Sequence, residues 1–216
     1  IYAMPYDKVS AQGLKYGQYR TFRKVDGGDS MGYLGGKMNK SCAGICAMNE
    51  EFANLYTLPG DDRNDIILGA TTDGKVYIHD PLTGEPTANP YIYKGEQLVL
   101  SKKIQLKDDS ETARQQLDCG ATPKGWSQGY RSLKFYPNPN EYASYERNQS
   151  NDVPIFRYAD IILTKAEALL RGAQKTNDDT PQSLLNQIRS YVHAPQFVGV
   201  PTLQDILDER GREFVD

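Results

Sequence analysis

Residues 153 to 172 read Val-Pro-Ile-Phe-Arg-Tyr-Ala-Asp-Ile-Ile-Leu-Thr-Lys-Ala-Glu-Ala-Leu-Leu-Arg-Gly, and no other stretch of the chain is so committed to one local structure. Ala159, Ile162, Leu163, Ala166, Leu169 and Leu170 recur at three- and four-residue steps, the spacing of one helix face. Ile155, Ile161 and Ala168 widen that stripe, so the pattern predicts a helix buried on two sides. Both ends are written locally. Asp152 suits an N-cap, Pro154 a first turn whose amide hydrogen is not needed, and Gly172 a left-handed C-terminal residue.

A chain of 216 residues can bury about two-thirds of its unfolded surface in one core. Its net charge of -3 and the lack of any Lys/Arg-dense run argue against a nucleic-acid partner. Mean hydropathy is -0.64. Apolar runs extend only a few residues, far short of the ~20 that a membrane-spanning helix needs. The opening Ile1-Tyr2-Ala3-Met4-Pro5 has no initiator methionine, basic region or apolar signal core, and a helical pattern runs to Asp216 without a stop signal. These two features lead us to expect a fragment.

Cys42, Cys46 and Cys119 are too few for a disulfide scaffold, and their odd number leaves at least one thiol unpaired. Cys42 and Cys46 share a helix face by spacing, but a structural zinc site takes four ligands and few candidates remain. They read as small buried hydrophobes, and we expect neither metal nor cofactor. Asp61-Asp62-Arg63-Asn64-Asp65 gathers three carboxylates, a composition that suits a hard cation, yet its spacing does not match an EF-hand. We expect instead a solvated turn with an ion pair from Arg63.

Residues 1 to 40 carry Tyr2, Tyr6, Tyr16, Tyr19 and Tyr33 among many glycines and lack helical periodicity, which predicts a short strand and long loops. A tyrosine in such a loop offers a flat apolar face with a polar tip, suited to stacking on a sugar or to filling a core. From Ser41 to Leu58, Ile45, Met48, Phe52 and Leu55 predict an amphipathic helix closed by Pro59-Gly60. Residues 66 to 136 are β-leaning. Ile66-Ile67-Leu68 and Val76-Tyr77-Ile78 flank Asp73-Gly74, a hairpin signal, while residues 80 to 86 have turn chemistry and 107 to 116 suit one short helix.

Gly125-Trp126-Ser127-Gln128-Gly129 fits the Gly-x-Ser-x-Gly pattern of a nucleophile elbow, with His193 downstream. That motif has meaning only between a buried strand and a helix, and Thr122-Pro123-Lys124 is no strand. The same loop has two other readings: Trp126 as a ligand contact, or Trp126 packed at the edge of the core. Beyond the polar stretch 137 to 152 and the helix described first, Pro181 opens a second amphipathic helix with Leu184, Leu185 and Ile188 inward. Thr202 then caps a third with Leu203, Ile206 and Leu207 on its apolar face.

Three of these segments carry a family resemblance. Pro154 to Ala168 resembles the Pro-Ile-x-Arg-Tyr-Ala-[Asp/Glu]-x-x-Leu-x-x-Ala-Glu-Ala signature of the SusD/RagB nutrient-binding lipoproteins. Leu185-x-x-Ile188-Arg189 is similar to that family's next helix, and Leu207-Asp-Glu-Arg-Gly-Arg-Glu-Phe214 to its Glu-Arg-x-x-Glu-Phe helix. Ile1 to Asp7 resembles the β-segment before the family's variable middle.

The resemblance implies a mostly α, SusD-like fold with tetratricopeptide-like helix pairs and a large irregular insert with short β-strands. Within this chain it implies one partial SusD-like domain over 1–216, irregular and β-leaning over 1–150 and helical over 151–216. It further implies a surface lipoprotein of the outer membrane, anchored by a lipid outside this chain, that binds an oligo- or polysaccharide without cleaving it. The partner would be a SusC-like TonB-dependent transporter. On this reading Trp126, Tyr16, Tyr19 and Arg20 are the candidate ligand contacts, and Arg157 and Glu167 are structural. Two alternatives remain: a protein that caps the transporter with little ligand affinity of its own, and a glycoside hydrolase working through two carboxylates.

Overall fold

A computed structural model describes residues 1–5, 47–80, 82–134 and 152–215. Eight short strands and six helices follow in order: β1 Tyr2–Met4, α1 Glu50–Ala53, β2 Ile67–Leu68, β3 Tyr77–His79, β4 Pro86–Pro90, β5 Ile92–Tyr93, β6 Glu96–Gln97, α2 Glu111–Gln116, α3 Pro123–Trp126, β7 Arg131–Ser132, β8 Val153–Phe156, α4 Tyr158–Leu170, α5 Pro181–Tyr191 and α6 Leu203–Glu213. The strands form antiparallel pairs, β1 with β8, β2 with β7, β3 with β4 and β5 with β6. Helix makes up 32% of this structure, so the mostly α expectation is corrected to a mixed architecture with helices concentrated after residue 157.

The helices behave as amphipathic elements that bury one stripe. Ile162, Leu163 and Ala166 of α4 pack with Leu184, Leu185 and Ile188 of α5 and with Ile206 of α6. Each such fully buried aliphatic side chain contributes about 1.5–3 kcal/mol. Helices α5 and α6 begin with capping boxes, Thr180 with Ser183 and Thr202 with Asp205, and of these caps Thr202 is the one predicted. A second core gathers Met48, Ala53, Tyr56, Ile67, Val76, Leu100, Tyr130 and Leu133 from the preceding region, and Val215 reaches into it from just beyond α6. Gly211 lets α6 approach this second core, because a Cβ there would lie 2.7 Å from Leu55 Cδ1.

Several local expectations are revised. The helix predicted from residue 153 begins at Tyr158 with Arg157 as its N-cap, because residues 153 to 156 pair with β1. Pro154 is tolerated in that strand as it was in a first helical turn. Gly172 does adopt the left-handed conformation, at φ +93°. The two-sided burial does not hold: Ile161 is 60% exposed and Tyr158 67%. The helix predicted over 41–58 is the single turn α1 within the described residues, capped by the side chain of Asn49. Asp73 and Gly74 do form a turn with positive φ, but β2 pairs with β7 and β3 with β4 in place of the expected hairpin.

Charge joins the two cores. Glu209 of α6 is 0% exposed, and its carboxylate accepts from Arg63 Nη2 at 2.6 Å, Arg189 Nε at 3.0 Å and Arg212 Nη1 at 3.0 Å. Arg63 also bonds Asp61 through two nitrogens and reaches Glu213. The expected Arg63 ion pair is thus present, but at 6% exposure for Arg63 and 3% for Asp61 the turn is buried, not solvated. Burial opposes the charge on Arg63, and the bonds to Asp61 and the nearby Glu209 carboxylate outweigh it, holding the guanidinium's pKa above its ordinary value. The last carbonyls of α6 are taken by Tyr56 Oη on Gly211, Lys134 Nζ on Glu213 and Arg157 on Glu213. These donors answer the helix's need for partners at its C-terminus, and the two cations also complement its dipole.

Replacing Glu209 by Gln keeps the shape and leaves three buried guanidiniums short of a counter-charge. Chemical denaturation is expected to show a loss of about 3–5 kcal/mol. A loss under about 1 kcal/mol would refute the central place given to this carboxylate. Asp205 supplies a pH signature. Hydrogen bonds from the Thr202 side chain and backbone hold its carboxyl below the usual carboxylate range. Its contribution is therefore complete above the unfolded-state pKa of 3.8 and is lost as pH falls through the lower folded value. Asp205→Asn is expected to flatten that acid limb in circular-dichroism melts, and an unchanged limb counts against the cap.

Candidate functional site: the Trp126 turn

Among the sequence-predicted contacts, Tyr16, Tyr19 and Arg20 lie outside the described residues. Trp126 ends helix α3, and its side chain lies outside them as well. The turn that carries it is defined in detail, starting from its supports.

Helix α2 is capped by Ser110, whose hydroxyl accepts from Ala113 N at 3.1 Å, and it ends in Leu117 with left-handed φ +50°. The chain then folds back. Lys107 N donates to the Asp118 carbonyl at 2.9 Å, and Lys107 Nζ lies 2.5 Å from Asp118 Oδ2. The hydrogen bond from Lys107, together with one from Gly120 N, holds the Asp118 carboxyl below its usual range. Gly125 fits against this segment only because it lacks a side chain. A Cβ there would lie 2.0 Å from the Gly120 carbonyl oxygen and 2.4 Å from that of Cys119. Gly125 N donates to Thr122 Oγ1 at 3.2 Å, and Ser127 Oγ donates to the Lys124 carbonyl at 3.2 Å.

Residues 101–105 hold the other side. Ser101 N donates to the Ser127 carbonyl at 2.9 Å, Gly129 N donates to the Ser101 carbonyl at 2.7 Å, and Gln105 N donates to Gln128 Oε1 at 2.5 Å. Gly129 has φ +73° and sits over Ala47 and Met48, where a Cβ would be only 2.7 Å from atoms of each. Arg131, 1% exposed, donates through Nη1 to the Gln128 carbonyl at 2.7 Å, to that of Gly129, and to that of Tyr130 at 3.4 Å.

The Gly-x-Ser-x-Gly pattern therefore marks a tightly packed turn. Its serine follows a short helix and precedes β7, the reverse of a nucleophile elbow. The Ser127 hydroxyl is directed to its own loop, and His193 Nδ1 lies 2.6 Å from Asp62 Oδ2. His79 is buried with Nδ1 2.8 Å from the Gly84 carbonyl, and burial holds its pKa below the ordinary histidine value. Arg157 and Glu167 both make ion pairs, Arg157 with Glu213 and Glu167 with Arg171. Sequence reasoning missed Arg131, whose one available signal was a charged residue inside an otherwise alternating strand.

Comparison with known proteins completes the picture. The starch-binding protein SusD of Bacteroides thetaiotaomicron is 31% identical over 93 residues, which cover 42% of this chain and 16% of that protein. The match thus spans only a small part of that relative's length. No solved structure matches the chain. The family model described as SusD family matches residues 1–215, that is, both the irregular region and the three C-terminal helices. The chain belongs to the SusD family.

Proposed function

We propose that this chain is part of a non-catalytic binding protein that holds a glycan or other nutrient at the cell surface and passes it to a SusC-like TonB-dependent transporter. The observation that carries this reading is the family match over residues 1–215, joined to the similarity with a protein named for starch binding. The location that goes with it is the outer face of the outer membrane, with attachment through a lipid. Helices α4 and α5 act on this reading as one tetratricopeptide-like pair within a partial domain, helical over 151–216. The irregular part, 1–150, carries the contacts.

Trp126, Tyr16, Tyr19 and Arg20 are the proposed contacts. An aromatic ring covers the apolar face of a sugar, and a guanidinium donates to its hydroxyls. The packing of Gly125 and Gly129 supports Trp126 in particular, since it fixes the backbone on both sides of that residue. A second reading is a cap for the transporter with little affinity of its own. It is favoured by the exposed Tyr2, Phe156, Tyr158 and Ile161 around the β1–β8 ribbon.

Isothermal titration of the full-length protein against starch oligosaccharides and other neutral glycans separates the two. Binding of at least one glycan, weakened about tenfold or more by Trp126→Ala, is the expected result. Absence of binding across the panel, with co-purification of a β-barrel partner, favours the cap, and wild-type affinity in Trp126→Ala removes that residue from the site.

A further inference from the structure

We propose that Arg131 is a positioning residue for Trp126: its buried guanidinium fixes the backbone of the turn before any ligand arrives. The inference rests on the reading of Trp126 as a ligand contact and adds how that contact is prepared. Among the described residues Arg131 is the largest fully buried side chain, and Nη1 gathers the carbonyls of three consecutive residues, Gln128, Gly129 and Tyr130. The Gln128 and Gly129 carbonyls face one point in a buried turn and need a donor there, since unpaired they would be costly, whereas that of Tyr130 also accepts from Met48 N at 2.9 Å. A planar guanidinium suits that geometry, and a lysine ammonium reproduces it only in part.

The opposite flank of Trp126 is held by an independent device. Gly125 packs directly on the Cys119 and Gly120 carbonyls, so the turn cannot shift toward residues 119–120. The Ser101 bonds to Ser127 and Gly129 close the third side. An aromatic contact carried on a loop normally loses affinity to the ordering of that loop on binding, and a turn restrained on three sides has little left to order. A purely structural arginine would serve the core without affecting the motion of Trp126, which gives the test its leverage.

Trp126 is the sole tryptophan of the chain, so its fluorescence reports this turn alone. Arg131→Lys, Arg131→Met and Gly125→Ala are compared with wild type by Trp126 anisotropy in the free protein, by far-ultraviolet circular dichroism and by titration with maltoheptaose and the neutral glycan panel. In Arg131→Met and Gly125→Ala, anisotropy is expected to fall and affinity to drop about tenfold with the α4–α6 helical signal retained. Arg131→Lys is expected to recover part of both. Folded variants that keep wild-type anisotropy overturn the proposal, and so does the failure of all three to fold, which would make Arg131 a core residue only. If no glycan alters wild-type Trp126 fluorescence, the contact reading fails, while the anisotropy comparison still decides whether Arg131 fixes the turn.

Discussion

Glu209 places its carboxyl group at 0% exposure, and the arrangement around it follows from that condition. A lone buried carboxylate would be severely destabilising, so guanidiniums must converge on it. They come from different parts of the chain: Arg63 from the loop after α1, Arg189 from α5 and Arg212 from α6 itself. Satisfying one carboxylate therefore fixes the position of three segments at once. The Val215 side chain and the Gly211 contact then seal the junction with apolar packing. Ionic and apolar interactions divide the work here, with the first setting register and the second supplying most of the burial.

This division explains what could be read in advance. Helices α5 and α6 were legible because Pro181 and Thr202 are local signals that act within one turn, and the structure uses them as written. The start of α4 was not legible. Val153 to Phe156 tolerates either state locally, and pairing with a strand some 150 residues earlier decides between them. The Asp73-Gly74 turn forms for the local reason, yet its flanking strands take other partners because non-local pairing outweighs turn propensity. The 41–58 helix fails in part for a similar reason, since Met48 bridges to Tyr130 before the helical turn begins at Glu50.

The turn at Trp126 shows the same limit at the scale of a site. Its glycines stood out in the sequence because a short pattern contains two of them, but that pattern is the one of a nucleophile elbow, which its flanks already argued against, and it assigned the glycines no other role. Their role is set by what lies above each Cα: the carbonyls of Cys119 and Gly120 for one, Ala47 and Met48 for the other. No local rule shows that residues 101–105 will lie alongside 127–129, and so the purpose of Gln128 and Arg131 could not be read. Family resemblance, by contrast, was legible mainly from the helical segments, which include Arg189 and Glu209 of the charged junction although not Arg63.

The β1–β8 ribbon has a topological consequence. Tyr2 lies opposite Phe156, Ala3 opposite Pro154 and Met4 opposite Val153, so the ribbon ties the start of the chain to the entrance of the helical part. In sequence, the residues between those positions are one long excursion closed at its base. Closing such an excursion costs only about 0.6 kcal/mol more for each doubling of its length. Extra length in its exposed loops thus adds little closure cost, as long as the second core is kept and Leu55, Tyr56, Arg63 and Lys134 still meet α6. A fold closed in this way can lengthen its exposed loops while the geometry of its helices stays unaltered.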